Sequence, residues 1–265
     1  MEVIIGFIMA FGAILISYTV GGGTITALMR LPSLILVFGG TIGATVMSFR
    51  KDQLKRIGKI LGVVIKGHDC DLPKLIDYFK QISTKTRKEG LLSLESEISD
   101  PANKIDPFIK KGLQMVVDGI EPKAVRESLE LQLDSIEDRH RDGASIFETA
   151  GGYAPTLGII GTVTGLVQVL GSLKDASSLG PKVAEAFVAT LYGISSANLI
   201  WLPIGSKLKE INKKEMKEKT LIVEAVCLIQ EGVNPNVIGE KLKGFLDNDE
   251  LVKFNSMESG GKKES

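Results

Sequence analysis

Two threonines, Thr162 and Thr190, are the residues of this sequence best placed for chemistry, because each lies inside a long apolar run. The runs cover about Ala150–Ser172 and Val183–Gly205. Threonine hydroxyls can present oxygen atoms to an ion, but neither run has an Asp, Glu, Lys or Arg in its middle. If an ion crosses here, we expect the group that binds it reversibly to come from another protein.

Each polar feature of these runs also has a simpler interpretation. A threonine hydroxyl in a membrane helix commonly donates to the carbonyl one turn back. Inside a helix, Pro155 and Pro203 would each leave one carbonyl without its donor, and in lipid that carbonyl must find a partner or face a wet cavity. The simpler interpretation is that each proline marks a helix boundary. The glycines of the first run favour close packing between helices. They are Gly151, Gly152, Gly158, Gly161, Gly165 and Gly171.

Four apolar runs are long enough to cross a bilayer, which takes ~20 residues at ~1.5 Å rise each. Val3–Val20 and Pro32–Phe49 precede the two runs already described. The first lacks the basic region that opens a secretory signal, so we expect a retained membrane helix. The sequence therefore predicts an all-α membrane protein with four transmembrane helices.

A charged, amphipathic segment separates the second and third spans. Its apolar residues recur at helical spacing, and Asp71, Asp106-Pro107 and Glu121-Pro122 are typical of helix starts. After the fourth span we expect a helix over Thr220–Glu231, another after Asn234-Pro235, and disorder in the last ten residues. The predicted domains are 1–49 (spans one and two), 50–147 (helical cytosolic insert), 148–206 (spans three and four) and 207–265 (cytosolic C-terminal helices and disordered tail).

The placement of Lys and Arg predicts the orientation in the membrane. The candidate outside turns, Gly21–Leu31 and Leu173–Lys182, hold only Arg30, Lys174 and Lys182. All other Lys and Arg residues lie in the insert and the tail, which the positive-inside rule places in the cytosol. Both termini are therefore predicted to be cytosolic.

Composition and motifs argue against several functional classes. Cys70, Cys227, His68 and His140 are isolated in the sequence, so we expect no disulfide framework and no metal site. The sequence has no nucleotide-binding loop, nucleophile elbow or paired-carboxylate site, and we therefore expect no catalytic residue, no cofactor and no enzyme activity. Lys+Arg and Asp+Glu number 32 each, which gives no net field to attract nucleic acid.

The order of these features resembles the MotA subunit of the bacterial flagellar stator. The resemblance rests on four spans, the large insert after the second, YAPTLGIIGTVTGLV in the third and Pro203 in the fourth. In the insert, the family pattern of Arg, a Gly three residues later and then Ser-Leu-Glu is met by Arg87, Gly90 and Ser93–Glu95. Without the resemblance, these charges fit an ordinary solvated surface.

The resemblance implies partners and a location. The family forms a homo-oligomer, a pentamer, around a MotB dimer whose membrane Asp carries the ion, which agrees with the lack of a carboxylate noted above. It lies in the bacterial inner membrane, within the lipid bilayer. The resemblance also implies that Arg87 and Glu95 contact the rotor protein FliG, with Lys88 and Glu97 as supporting charges.

The resemblance also implies functions inside the membrane. Thr190 matches a threonine that lines the ion path, and Pro155 and Pro203 match prolines that couple ion binding to movement. Thr162 occupies a position where sodium-type members often carry Thr and proton-type members Ala, which favours sodium while leaving both ions open. The implied function is a stator subunit that converts ion flow into torque. An ExbB/TolQ-like energiser, whose members usually have three spans, and a non-conducting membrane scaffold are the alternatives.

Overall fold

The computed structural model describes residues 2–68, 70–99, 105–173 and 176–261, and every regular element among them is helical. Within this part of the chain, four helical stretches are long and apolar enough to cross a membrane. They are Val3–Val20, Leu31–Ser48, Pro122–Leu170 and Leu179–Gln230. The prediction of an all-α protein with four membrane helices is confirmed.

The chain divides into two compact units, and the first holds the apolar spans. It comprises Met1–Gly67 and Arg139–Ile211, as far as these residues are described. A π-helical turn, Ile35–Gly39, interrupts the second span, and a second one, Ala197–Trp201, interrupts the fourth. In the first segment of this unit, residues 1–67, the α-helices are α1 (Glu2–Val20), α2 (Ile25–Leu28), α3 (Leu31–Leu34), α4 (Gly40–Ser48), α5 (Lys51–Leu54) and α6 (Ile57–Lys66).

The second unit comprises His68–Asp138 and Asn212–Ser265, again as far as described. Short 3₁₀ turns, Leu91–Ser93 and Lys243–Phe245, join some of its helices. Its own helices are α7 (Leu72–Glu89), α8 (Leu94–Ser99), α9 (Pro107–Val117), α13 (Pro235–Leu242) and α14 (Asn248–Gly261). The helices α10 (Pro122–Leu170) and α12 (Leu202–Gln230) contribute residues to both units, and α11 (Ala176–Ser196) belongs to the first.

Side-chain caps confirm three of the predicted helix starts, and α10 begins at Pro122 as predicted. The Asp71 carboxylate accepts from the backbone N–H of Lys74 at 3.4 Å, and Asp106 accepts from that of Phe108 at 2.7 Å. Asn234 caps α13 in the same way, and a proline follows each of these positions within two residues. The side chain thus satisfies an otherwise orphaned donor, and proline at the helix start loses no intrahelical bond.

Each unit has its own apolar core. In the second unit the core joins α7, α9, α12, α13 and α14 around side chains that are completely buried, such as Phe79, Leu113 and Ile238. In the first unit a smaller core gathers Val64, Phe147 and Leu208.

Some predicted boundaries are wrong. No separate helix begins at Thr220, because α12 runs unbroken to Gln230 through a stretch without Pro or Gly, supported by pairs such as Lys219 Nζ–Glu215 Oε1 at 3.8 Å. Of the last ten residues, 256–261 belong to α14, which Phe254 anchors with 1% exposure. Residues 262–265, like Lys174, lie outside the described residues.

Candidate functional site

The third and fourth spans make backbone contact at Gly158 and Gly193. A Cβ atom on Gly158 would lie 3.0 Å from the carbonyl oxygen of Ala189. One on Gly193 would lie 2.6 Å from the carbonyl oxygen of Ala154. Real Cβ atoms essentially never come within 2.6 Å of another atom, and a 3.0 Å contact is tighter than most, so glycine at these two positions lets the helices pack this closely.

Small residues continue this interface toward the turn that joins the spans. A Cβ atom on Gly161 would lie 2.5 Å from the Cβ of Ala189, and one on Gly165 would lie 2.6 Å from that of Ala186. Toward the opposite end, Gly151 packs on Leu202. By contrast, Gly152 and Gly171 face no other helix. Within this chain the packing expected of the glycines is therefore confirmed for Gly151, Gly158, Gly161 and Gly165, and for Gly152 and Gly171 it stays a prediction.

Thr162 and Thr190 meet at the centre of this interface, where their hydroxyl groups hydrogen-bond to each other. The Thr162 Oγ1 also lies 3.0 Å from the carbonyl oxygen of Ala186 and 3.3 Å from that of Gly158. The Thr190 Oγ1 lies 3.2 Å from the Gly158 carbonyl oxygen. Two hydroxyl and two carbonyl oxygens thus converge between the spans, and this group is called the oxygen cluster below.

The oxygen cluster has more acceptors than protons. The two hydroxyls carry two protons, yet four oxygen–oxygen contacts lie within hydrogen-bond distance. Some oxygen lone pairs therefore have no proton to accept. Hydroxyl and carbonyl oxygens with free lone pairs are the groups that replace water around a small cation in ion channels.

Two neighbouring threonines show the simpler arrangement. The Thr156 hydroxyl donates to the Tyr153 carbonyl at 2.7 Å, and the Thr164 hydroxyl donates to the Ile160 carbonyl at 3.0 Å. Both bonds stay within one helix, as is common for threonine in membrane helices. Thr162 has such a contact with Gly158, but it alone of these three also reaches the fourth span.

Pro155 lies inside α10, and Pro203 is the second residue of α12, which continues without a break from the π-helical turn before it, so neither proline ends its span. Each lies within about one turn of the contact between Gly151 and Leu202. Pro155 cannot donate a hydrogen bond to the carbonyl of Gly151, four residues earlier. Leu202 follows the π-helical turn Ala197–Trp201, and its backbone N–H donates to the Ala197 carbonyl, five residues earlier. Pro203 is the next residue. Pro155, Pro203 and the π-helical turn thus place irregular hydrogen bonding near the contact between Gly151 and Leu202, and Pro181 inside α11 removes a further donor at the other end of the fourth span.

Tyr192 ties the fourth span to the start of the second, a contact that the sequence analysis missed. Its hydroxyl donates to the Leu28 carbonyl and accepts from the Arg30 backbone N–H at 3.3 Å. The Ser33 hydroxyl donates to the backbone carbonyl of Glu185 at 3.2 Å. A tyrosine within an apolar run gives no sign of a distant partner, so no sequence signal pointed to this bond.

The charged residues of the insert fall on two helices rather than one. Arg87 and Lys88 are exposed in the last turn of α7, and Glu95 is exposed in the first turn of α8. Gly90 ends α7 with a φ of 84°, in the left-handed region that glycine adopts readily. Arg87 and Glu95 therefore do not lie on one continuous helix.

Glu97 differs from the other three charged residues. Its carboxylate lies 3.6 Å from the Lys85 Nζ, and its side chain is 20% exposed. Burial and the Glu97 carboxylate raise the pKa of the nearby Tyr78 to about 12, so this phenol stays neutral. Glu97 is thus engaged within its own unit, whereas Arg87, Lys88 and Glu95 face solvent.

The described part of the chain contains no cluster of three His, Cys, Asp or Glu side chains that could hold a metal ion. Burial raises the pKa of the Cys70 thiol to about 12. That thiol is therefore protonated at neutral pH and is a poor ligand.

Comparison with known proteins places these features in a family. A family model for the N-terminal part of motility protein A matches residues 4–90, and one for the MotA/TolQ/ExbB proton channel family matches residues 101–220. Motility protein A of Bacillus subtilis (strain 168) is 36% identical over 98% of this chain and 97% of its own length. The chain belongs to the MotA/TolQ/ExbB proton channel family.

Solved structures of family members agree with this assignment. The flagellar MotAB stator complex from Bacillus subtilis matches with a TM-score of 0.88 at 35% identity, over 95% of this chain and 98% of that one. The C. jejuni MotAB structure matches with a TM-score of 0.88 at 32% identity, over 94% and 96%. These matches support a stator-subunit function in a multi-pass inner-membrane protein and do not favour the ExbB/TolQ-like alternative.

Proposed function

We propose that this chain and a MotB-like partner form an ion channel in the bacterial inner membrane and convert ion flow into torque on the flagellar rotor. The observation that carries this proposal is the oxygen cluster of Thr162 and Thr190. It offers oxygen ligands and no titratable group, so it needs a carboxylate from a partner. The stator relatives, whose solved structures are MotAB complexes, support a MotB-like subunit as that partner.

The ion step follows from the chemistry of the oxygen cluster. An ion enters from outside and meets the partner's membrane carboxylate beside spans three and four. The two threonine hydroxyls and nearby carbonyls replace part of its hydration shell. The membrane potential supplies about 2.3 kcal/mol for each unit charge per 100 mV. The hydroxyl of Thr162 adds an oxygen ligand and favours sodium over a proton, and swimming speed measured against external sodium at fixed pH distinguishes the two.

Movement would follow from the irregular end of the paired spans. The partner's carboxylate with an ion bound and the same carboxylate without an ion favour different packings of the glycine-rich interface between spans three and four. Pro155 and Pro203 leave backbone carbonyls without their usual donors, so the helices can bend there at lower cost. No step of this mechanism requires catalysis by the chain.

The rotor contact is proposed for the exposed charges of α7 and α8. Arg87, Lys88 and Glu95 face solvent and can steer FliG, although exposed ion pairs contribute only ~0–1 kcal/mol each. Between them Leu92 is 68% exposed and offers an apolar contact. Glu97 supports the surface through its ion pair with Lys85.

The proposed arrangement places the insert and both termini in the cytosol and several copies around the partner. The basic residues concentrated in the insert and tail support this orientation. A pentameric ring is the assembly that the family resemblance implies. The mass of the intact complex, measured after co-purification with the partner from membranes, tests the subunit number.

The proposed function is tested by complementation of a strain that lacks its own stator subunit. Arg87→Glu should abolish most swimming while the protein still assembles in the membrane, and a charge reversal on FliG should restore part of it. Lys110→Glu, at an exposed position of the same unit outside this surface, should swim normally. Normal swimming of both Arg87→Glu and Glu95→Lys would reject this surface. Cation flux through the chain alone, unchanged on adding the partner, would reject the shared channel.

A further inference from the structure

The unit that holds the spans contains an apolar groove that the proposed ion path does not use. Its volume is about 790 Å³, and it lies between the start of α1, helix α6 and the first residues of α12. Val3 and Phe7 form one wall, and Leu61 and Ile65 form another. Its polar lining residues are Asn198, Ser206, Lys207 and Glu210.

One wall of this groove is built to contact lipid. Val3–Val20 is long and apolar enough to cross the membrane, and none of its residues is buried. Such a helix presents its side chains to acyl chains or to a neighbouring protein in the membrane. A groove opening beside it is thus within reach of the bilayer.

The opposite wall belongs to an interfacial segment. Helix α6 buries Val64 but leaves Leu61, Val63 and Ile65 exposed, with Lys59 and Lys66 also exposed. An amphipathic helix with exposed apolar and basic residues directly after a span lies favourably in the headgroup region.

Exposed positive charge accumulates between the second span and this helix. Only one acidic residue, Asp52, occurs between the end of α4 and Lys59. Clusters of four to eight Lys or Arg residues next to a span attract anionic lipids. The cluster here consists of five exposed residues: Arg50, Lys51, Lys55, Arg56 and Lys59.

We propose that this groove binds an anionic phospholipid of the leaflet that faces the insert. One acyl chain lies in the groove against α1 and α6, and the basic cluster of residues 50–59 attracts the negatively charged headgroup. A zwitterionic lipid offers the same chain but no net charge, so the cluster selects the anionic one. This site is separate from the oxygen cluster, and it holds whether or not the chain turns a rotor.

The single tryptophan provides the measurement. Trp201 lies in the core that includes Phe147, and its neighbours Ile200 and Pro203 line the groove. The full-length chain is reconstituted in phosphatidylcholine vesicles with increasing fractions of phosphatidylglycerol brominated on one acyl chain, since bromine quenches indole fluorescence at close range. Vesicles with brominated phosphatidylcholine in place of the anionic lipid give the comparison. We expect brominated phosphatidylglycerol to reach half-maximal quenching at a fraction about fivefold or more below that of brominated phosphatidylcholine. A fivefold difference corresponds to ~1 kcal/mol, the attraction of a single nearby cation for the anionic lipid.

Two pairs of variants separate the groove from the charge. Gly6 lines the groove, and a Cβ atom there would meet nothing within 4 Å, so Gly6→Leu should fill it and remove the selective quenching. Gly12→Leu, equally open but outside the groove lining, is its control. The double change Arg56→Gln with Lys59→Gln should raise the half-maximal fraction severalfold, and the exposed pair Lys110→Gln with Lys123→Gln should not.

Three results would overturn the lipid site. The first is quenching that follows bulk composition equally for both lipids. The second is equal quenching in Gly6→Leu and Gly12→Leu together with no shift in the double charge variant. The third is an absence of quenching by either lipid, which would mean that a second copy of the chain or another protein covers the groove.

Discussion

Gly158 and Gly193 face each other across the third and fourth spans so closely that a Cβ atom on Gly193 would lie 3.0 Å from the Cα of Gly158. The approach brings Thr162 within 3.0 Å of a carbonyl on the other helix. Without it, the threonine hydroxyls could bond only to their own helices. The oxygen cluster thus depends on two residues that have no side chain.

Adding one methyl group to this contact should separate the helices. In Gly193→Ala the new Cβ would lie 2.6 Å from the Ala154 carbonyl oxygen, which cannot rotate away as a side chain could. We expect a loss of ~1–3 kcal/mol in stability, typical of overpacking, seen as a lower melting temperature in detergent, together with loss of swimming. Gly152→Ala, whose Cβ meets nothing within 4 Å, is the matched control. Equal melting temperatures for the two variants would disprove the close contact.

Removing a hydroxyl should affect ion flow only where it bridges the spans. Thr162→Val and Thr190→Val keep the shape but lose an oxygen ligand, so we expect ion flux with the partner to fall about tenfold or more, as for ~1.4 kcal/mol. Thr162→Ser and Thr190→Ser should retain most of the flux. Thr164→Val, which loses only a bond within its own helix, should be nearly normal. Similar flux in the valine and serine variants would argue against the cluster as an ion ligand.

Restoring the missing backbone donors should stiffen the irregular end of the spans. Pro155→Ala and Pro203→Ala each allow a regular helical bond, so we expect assembled complexes that swim slowly or not at all. Pro32→Ala is the control, because proline in the first turn of α3 replaces no intrahelical bond. Normal swimming of Pro155→Ala and Thr190→Ala would instead favour a non-conducting scaffold.

Acid should loosen the docking of α14. The Lys80 Nζ lies 2.5 Å from Glu258, and this hydrogen bond holds the pKa of Glu258 below its ordinary value of 4.5. A lowered pKa in the folded state contributes stability that is complete above 4.5 and is lost as the pH falls through the lower value. Hydrogen exchange of α14, corrected for intrinsic rates, should therefore accelerate below pH 4.5.

Glu258→Gln tests the source of this effect. The variant should exchange faster at neutral pH and show a weaker pH dependence, because its side chain cannot lose a proton. Glu121→Gln, at an exposed position before α10, should behave as the unchanged protein. A pH dependence identical in both variants would mean that another group controls the docking.

The spans and most helix starts follow directly from sequence because their causes are local. Apolar length defines a span, and an Asp or Asn before proline satisfies the first free N–H of a helix, as at Asp71 and Asn234. The start of α12 was harder to predict. Charge suggested a break near Thr220, but without Pro or Gly nothing interrupts the backbone hydrogen bonds there.

The site was predictable as a set of residues but not as an arrangement. Hydroxyls in an apolar run identified Thr162 and Thr190, yet their mutual contact depends on the register between two helices. That register is set by the packing of Gly158 on Gly193 and of Gly165 on Ala186, which periodicity within one run does not reveal. The bond from Tyr192 to Leu28 joins residues 164 positions apart and has no local cause.

The π-helical turn Ala197–Trp201 sits directly before Leu202 and Pro203. Such a turn is an α-helix carrying one additional residue, so the flanking helical segments keep their faces in phase with the rest of the span. Shortening the chain by one residue here would yield a continuous α-helix without turning the Thr190 side away from the third span. Loss of one residue at this point in a natural sequence would therefore leave the oxygen cluster in place but change how readily the span bends.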